Sequence, residues 1–181
     1  LKARNRLHYL TLYKKIHGPL EALAKALAQE LDIKQVDLSP KPPSYFKGNQ
    51  GLKIENFEVK QGHVLVYGKK DPTRLMPDWK AQDIPLFEGT WLFRNRGAGL
   101  LIEGLYFIHS GRVPEEKKEN FVVESTKAKL AMGDALLLLH RRYHPLYHKR
   151  FEKLEAIDLS GVPQGETIKQ MYRQGMDQKL L

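Results

Sequence analysis

The sequence predicts an α+β chain: a partial mixed β-sheet with helices against it over residues 1–111, then an α-helical bundle over residues 112–181. Three observations carry this expectation. Two short apolar runs, Ile33–Leu38 and Val64–Tyr67, are rich in β-branched residues and bounded by Pro or Gly, the pattern of strands. Apolar residues between Leu20 and Leu31 fall three and four apart, as on a helix face, and Leu86, Gly89, Thr90, Phe93, Gly97 and Leu100 give a second seam that includes small residues. Beyond Asn120 the pattern is helical throughout.

Taken in order, Leu20, Leu23, Ala24, Leu27 and Leu31 define the first helical face, and Gly18-Pro19 supplies a helix start. Whether that helix reaches back to Leu7 or a separate one covers Leu7–Ile16 is open. Ser39-Pro40-Lys41-Pro42-Pro43 ends the strand Ile33–Leu38, and the Lys47–Gly51 stretch continues as loop. Leu52–Lys60 fits strand and helix equally. Gly62 and Gly68 bound Val64–Tyr67 as a buried strand, and a polar loop then runs to Gln82. Asp83 caps the next helix, with Pro85 early in its first turn, and Gly89 and Gly97 lie on its seam. Ile108–Asn120, polar and carrying Gly111 and Pro114, reads as a loop. Helices then cover about Phe121–Leu139, Pro145–Ile157 and Glu166 onward.

Composition narrows the chemistry. The 181 residues include 30 Lys+Arg and 21 Asp+Glu, for a net charge of +9, with 41% apolar residues and no cysteine. The apolar share supports a real core. Absence of cysteine excludes disulfide frameworks, thiol nucleophiles, Cys-type zinc sites and Fe–S clusters. No apolar run has membrane-spanning length, so no membrane partner is expected and a cytoplasmic location is. Residues 1–90 carry +5 and residues 91–181 carry +4, so charge singles out neither half. Gly-x-Ser-x-Gly and Walker-type loops are absent.

Three features carry candidate chemistry. Asp37 interrupts an apolar strand, where an ionised carboxylate is costly unless paired or bound to a metal. The bland alternative is a strand-end Asp turned to solvent or to the Ser39 amide. The run His140–Arg150 packs three histidines and four cations into eleven residues. Its Arg141, Arg142, His144, His148 and Lys149 suit phosphate neutralisation, and Tyr143 and Tyr147 suit base stacking. The alternative is a helix–turn–helix corner, with His140–Arg142 over the C-terminal carbonyls of one helix and His144-Pro145 opening the next. A zinc site from His140, His144 and His148 would need a continuous helix, which Pro145 interrupts. Asp134, within an apolar helical run, is expected to pair with Arg94, Arg96 or Arg142, or to orient a substrate phosphate through an Arg. Asn95–Gly99 lies inside a helix, where its glycines serve packing, and Trp79, Trp91, Phe93 and Tyr106 are assigned to the core or to capping the sheet.

The order of helix, Val36-Asp37-Leu38-Ser39-Pro40, Pro-rich loop, amphipathic segment and Gly62-His63-Val64-Leu65-Val66-Tyr67-Gly68 resembles the second half of the nucleotidyltransferase domain of the DNA polymerase β superfamily. Lys127–Leu137 and Tyr143–Tyr147 are similar to a helical extension found in a group of nucleotidyltransferase-like proteins. Arg142 and His148 also resemble the Arg…His motif of small helical ribonuclease-type domains that accompany nucleotidyltransferases. There Arg stabilises phosphate charge and His acts as acid or base. The superfamily resemblance implies Asp37 as the third metal-binding carboxylate and catalytic residue, Mg²⁺ as cofactor, and a nucleoside triphosphate and an acceptor, with nucleic acid among the candidates, as partners. The chain departs from the family in having no Gly-Ser turn and no paired-carboxylate strand ahead of Asp37. One carboxylate cannot clamp two metals, so the expectation is a fragment, inactive in nucleotidyl transfer as it stands, whose missing strand lies upstream of Leu1. The reading from a different class is a helical nucleic-acid-binding or toxin–antitoxin-type interaction module on a non-catalytic scaffold.

Overall fold

The computed structural model describes residues 2–33, 36–42, 44–47 and 51–180. They contain six α-helices, and no strand occurs among the described residues. The expected mixed sheet is therefore overturned, and the described residues form an all-α structure.

Two compact units divide the chain, Leu1–Asn49 and Gln50–Leu181. The first is built on α1 (Lys2–Glu30), a single helix that reaches past Leu7 and holds Pro19 in its interior, so Pro19 does not start it. It ends through Asp32 at φ 50, with the Ile33 amide donating to the Ala28 carbonyl. Val36, Asp37 and Leu38, read as the end of a strand, adopt no regular secondary structure. They lie beside the Leu20, Ala24 and Ala28 face of α1, which gives Val36 and Leu38 an apolar neighbour without a sheet. Lys34 and Gln35, the middle of that expected strand, fall outside the described residues.

In the second unit α2 (Ile54–Gly62) resolves the ambiguous segment as helix. It buries Phe57, and the Ile54 amide donates to Glu88 at 3.1 Å. Val64–Tyr67 is the clearest correction. Instead of a buried strand it is an exposed link, with Val66 92% and Tyr67 95% accessible. A four-residue run cannot be a strand without a neighbour to take its backbone hydrogen bonds, and none is present among the described residues. The polar stretch that follows is organised by 3-10 turns at Pro72–Leu75 and Ala81–Asp83. Asp83 closes the second of these by accepting from the Lys80 amide at 2.8 Å, and it does not cap the next helix.

That helix, α3 (Phe87–Ser110), and α4 (Glu115–Leu139) form a long antiparallel hairpin. The expected loop Ile108–Asn120 shrinks to four residues. Gly111 ends α3 at φ 68, a conformation that favours glycine. Glu115 and Glu116 then open α4 where negative charge suits the helix dipole. Beyond a corner at residues 140–146 come α5 (Tyr147–Glu155) and α6 (Gly165–Leu180).

The central member is α4, which packs against α3, α5 and α6. Leu130, Leu137 and Leu138 meet Leu154, Tyr172 and Met176 in one core. The α4–α6 crossing is close because Gly133 has no side chain: a Cβ there would stand 2.2 Å from Tyr172 Cδ2 and 2.7 Å from Leu154 Cδ2. No described helix is long and apolar enough to cross a membrane.

Candidate functional site

The α4 residues Lys127, Leu130, Ala131 and Asp134, spaced i, i+3, i+4 and i+7, form one helical face and line a cleft of about 740 Å³. The cleft is also lined by α2 and α3 residues and by Tyr147, Arg150 and Lys179 of α5 and α6. Its base is a buried ion network. Arg150, 1% exposed, donates from Nη1 to Asp134 Oδ2 at 2.9 Å and from Nη2 to Glu58 Oε1. The same guanidinium also reaches the carbonyls of His144 and Pro145, the latter at 3.1 Å. It lies 4.4 Å from the Tyr143 ring centroid and 4.2 Å from that of Tyr147. Tyr172 donates to Asp134 Oδ1 at 2.9 Å, and Tyr143 donates to Glu58 Oε1 at 2.6 Å.

One guanidinium here serves two carboxylates. Desolvation pushes the Asp134 carboxyl up to about 6, against the pull of Arg150 and the Tyr172 hydroxyl. Burial likewise raises the Tyr143 and Tyr172 phenols, which stay protonated and act as donors. For Arg150, burial opposes the charge, but the facing Asp134 outweighs it together with the remaining neighbours and keeps the guanidinium protonated. Four hydrogen bonds engage Arg150 inside the protein through all three of its side-chain nitrogens. It ties α2, the corner and α5 to α4, and other charged groups border the open part of the cleft.

Those groups stand on two walls. On α3, Arg94 lies 5.4 Å from the centroid of Trp91, whose side chain is 58% exposed, and Arg96 lines the same cleft. On the other wall Lys179 of α6 sits 4.5 Å from the Tyr147 ring of α5. Lys127 is held by Glu124 at 2.7 Å. The cleft therefore presents two cation–ring pairs above a base in which one guanidinium faces two carboxylates. Rings accept stacking and the cations accept negative charge, a pairing suited to a base with phosphate attached.

Of the residues singled out from sequence, Asp134, Tyr143 and Tyr147 line this cleft, and the expected metal and phosphate ligands do not. Asp37 belongs to the first unit, exposed, beside a hollow of about 360 Å³ whose other residues include His17 and Glu21. Among the described residues no three His, Asp or Glu side chains converge as metal ligands, so the residues described do not by themselves fit the two-metal Mg²⁺ centre implied by the family resemblance. Arg141, Arg142, His144, His148 and Lys149 do gather at the α4–α5 corner, but none lines the cleft. Arg141 adopts φ 59 and donates to the Gln82 and Ile84 carbonyls at 2.9 and 2.8 Å. Arg142 donates to the Ala156 carbonyl at 3.4 Å. His144 Nδ1 accepts from the Leu146 amide at 3.1 Å, and partial burial, followed by the charge of Lys153, lowers its basicity. Lys149 pairs with Glu152 at 2.8 Å, and His148 is exposed on α5.

Asp134 takes Arg150 as partner, not Arg94, Arg96 or Arg142. The missed members, Glu58, Arg150 and Tyr172, left one readable signal. Arg150 follows Tyr147 by three residues and precedes Phe151 and Leu154 by one and four, so it lies within the apolar face of α5. A cation on that face calls for a buried carboxylate, and Asp134 is the one offered by an apolar helix. Comparison with protein-family models, with curated proteins and with solved structures finds no match to this chain.

Proposed function

We propose that the helical unit over residues 51–180 is a binding module that takes a nucleoside triphosphate into the α2–α6 cleft, as the non-catalytic helical part of a nucleotidyltransferase-like protein. The observation that carries this reading is the pair of cation–ring contacts, Arg94 with Trp91 and Lys179 with Tyr147, bordering one cleft. Arg96 adds a third cation for the phosphate chain. A volume of about 740 Å³ suits one nucleotide better than a length of strand. Stacking of a base is worth about 1–3 kcal/mol, and phosphate contacts add a salt-sensitive component.

Trp91 provides its own readout. Titrating adenosine triphosphate into the chain should quench tryptophan fluorescence saturably, with affinity falling as salt rises. Arg94→Ala with Arg96→Ala should weaken binding at least tenfold while Arg142→Ala with Lys149→Ala leaves it unchanged. Absence of saturable quenching, or equal binding by the Arg94/Arg96 variant, refutes the reading.

A further inference from the structure

Charge in the cleft is sorted by sign along its length, and three helices agree on the direction. On α3 the cleft residues run Glu88, Trp91, Arg94 and Arg96. At about 1.5 Å per residue, a carboxylate lies about 5 Å along the axis from the ring on one side and a guanidinium about 5 Å on the other. On α4 Asp134 and Lys127 line the cleft about 10 Å apart along the axis. The two helices run antiparallel, since a Cβ at Gly89 would approach Ala135 and Leu138, and one at Gly99 would approach Glu124. Asp134 therefore stands at the Glu88 end and Lys127 at the Arg96 end. On α6, Tyr172 reaches Asp134 and Gln178 accepts from Thr126, which puts Lys179 at the Lys127 end. At the acidic end α2 adds Glu55 and Glu58, next to the Ile54 amide that Glu88 holds.

The acidic end also keeps acceptors open. Both oxygens of Asp134 are taken, by Arg150 and Tyr172. Glu58 receives Arg150 and Tyr143 on Oε1 alone, and Glu88 receives the Ile54 amide on Oε2 alone. Glu58 Oε2 and Glu88 Oε1 thus carry no hydrogen bond from the described residues. An ionised carboxylate accepts and does not donate, so these two oxygens call for N–H groups on the ligand. Resting on the nucleotide reading of this cleft, we infer that it selects a nucleobase bearing an exocyclic amino group, stacked on Trp91 with the amine toward Glu58 and Glu88 and the phosphates toward Arg94, Arg96 and Lys179. The reverse orientation would set phosphate against two carboxylates. An amino group brings two N–H bonds, one for each open oxygen. Uracil and hypoxanthine offer one ring N–H beside a carbonyl oxygen, which would turn its lone pairs toward the second carboxylate. A site built to bond an N–H discriminates in this way against a ligand of the same shape that lacks it.

Matched pairs of nucleotides test this on the unaltered chain through quenching of Trp91. Adenosine triphosphate should bind at least ~10-fold more tightly than inosine triphosphate, and cytidine triphosphate than uridine triphosphate. Members of each pair share ring size, ribose and phosphates and differ at the amine. The factor is modest for a lost polar contact because the Glu58 side chain is 37% exposed, and water can take up part of the loss. In Glu58→Gln with Glu88→Gln, whose amides donate as well as accept, both ratios should fall below ~3-fold while adenosine triphosphate still saturates. Helical circular dichroism checks that this variant folds, and the ratios of the unaltered chain decide the matter without it. Equal binding within the pairs overturns the inference and leaves nucleotide binding itself standing, as does a preference unchanged in the folded double variant. Failure of every nucleotide to quench overturns both.

Discussion

Replacing Arg150 by Met tests whether the ion network holds the helical unit together. Met preserves the stem between Tyr143 and Tyr147 and removes the guanidinium, so lost packing is small. What is lost is the partner of Asp134, 5% exposed and 2.9 Å away, and the donors to two backbone carbonyls. Removing one member of a buried ion pair costs about 3–5 kcal/mol, because the other is left buried and uncompensated. Glu58 adds little, since its side chain is 37% exposed and water can replace the contact. A loss of about 3–5 kcal/mol is comparable with the whole stability of many domains, so Arg150→Met should shift the urea midpoint far toward water.

The pH dependence gives this reasoning its sharper form. The Asp134 carboxyl is raised from 3.8 to about 6 in the folded protein. A raised acid binds its proton more tightly when folded, so its contribution to stability is full below about 3.8 and lost as pH rises through about 6. From pH ~7.5 to ~5 this one group should add roughly 1.4 kcal/mol. Asp134→Asn should remove that increment from the wild-type profile. In Arg150→Met the carboxyl keeps its proton to still higher pH, so the variant should be least stable at alkaline pH. The double variant, Asp134→Asn with Arg150→Met, should recover at least about 2 kcal/mol of the single-variant loss, because no buried charge remains. Urea unfolding followed by circular dichroism across this pH range measures all four proteins. A loss below about 1 kcal/mol in Arg150→Met, or additivity within ~0.5 kcal/mol, would refute the network's role.

The parts of the fold legible in sequence are those whose local and tertiary signals agree. The helical spans beyond Phe121 were readable, and on α4 the apolar Leu130, Leu137 and Leu138 are the residues that end up buried, whereas Leu86 and Phe93 of the expected α3 seam are 43% and 53% exposed. The strands were not, because β-branched composition is only half of a strand. Val64–Tyr67 has it, and without a neighbouring strand to share hydrogen bonds it remains an exposed link. The start of α4 failed in the opposite direction: Glu115–Asn120 is polar and largely exposed, yet helical, because acidic side chains suit the first turn of a helix. The site was hidden by a similar conflict. Within His140–Arg150 charge density drew attention to Arg141, Arg142 and Lys149, whose partners are carbonyls and a neighbouring Glu. The buried cation in that run is Arg150, marked by its apolar neighbours on α5 and not by its charge.

Two further substitutions probe the same architecture. Arg141→Ala removes the donors to the Gln82 and Ile84 carbonyls, and should cost about 1–2 kcal/mol in urea unfolding while leaving nucleotide quenching of Trp91 intact; loss of binding at unchanged stability would instead place Arg141 on the ligand. Gly133→Ala adds a methyl that must displace both the Tyr172 ring and the Leu154 side chain from the α4–α6 crossing, since its Cβ would lie 2.2 and 2.7 Å from them. Overpacking of this kind costs about 1–3 kcal/mol, and here the displaced ring also carries the hydroxyl that donates to Asp134. The helix preference of Ala over Gly works the other way by about 1 kcal/mol. A net stabilisation would therefore mean that the ring and the leucine move freely, and that the crossing is not the close contact on which the network depends.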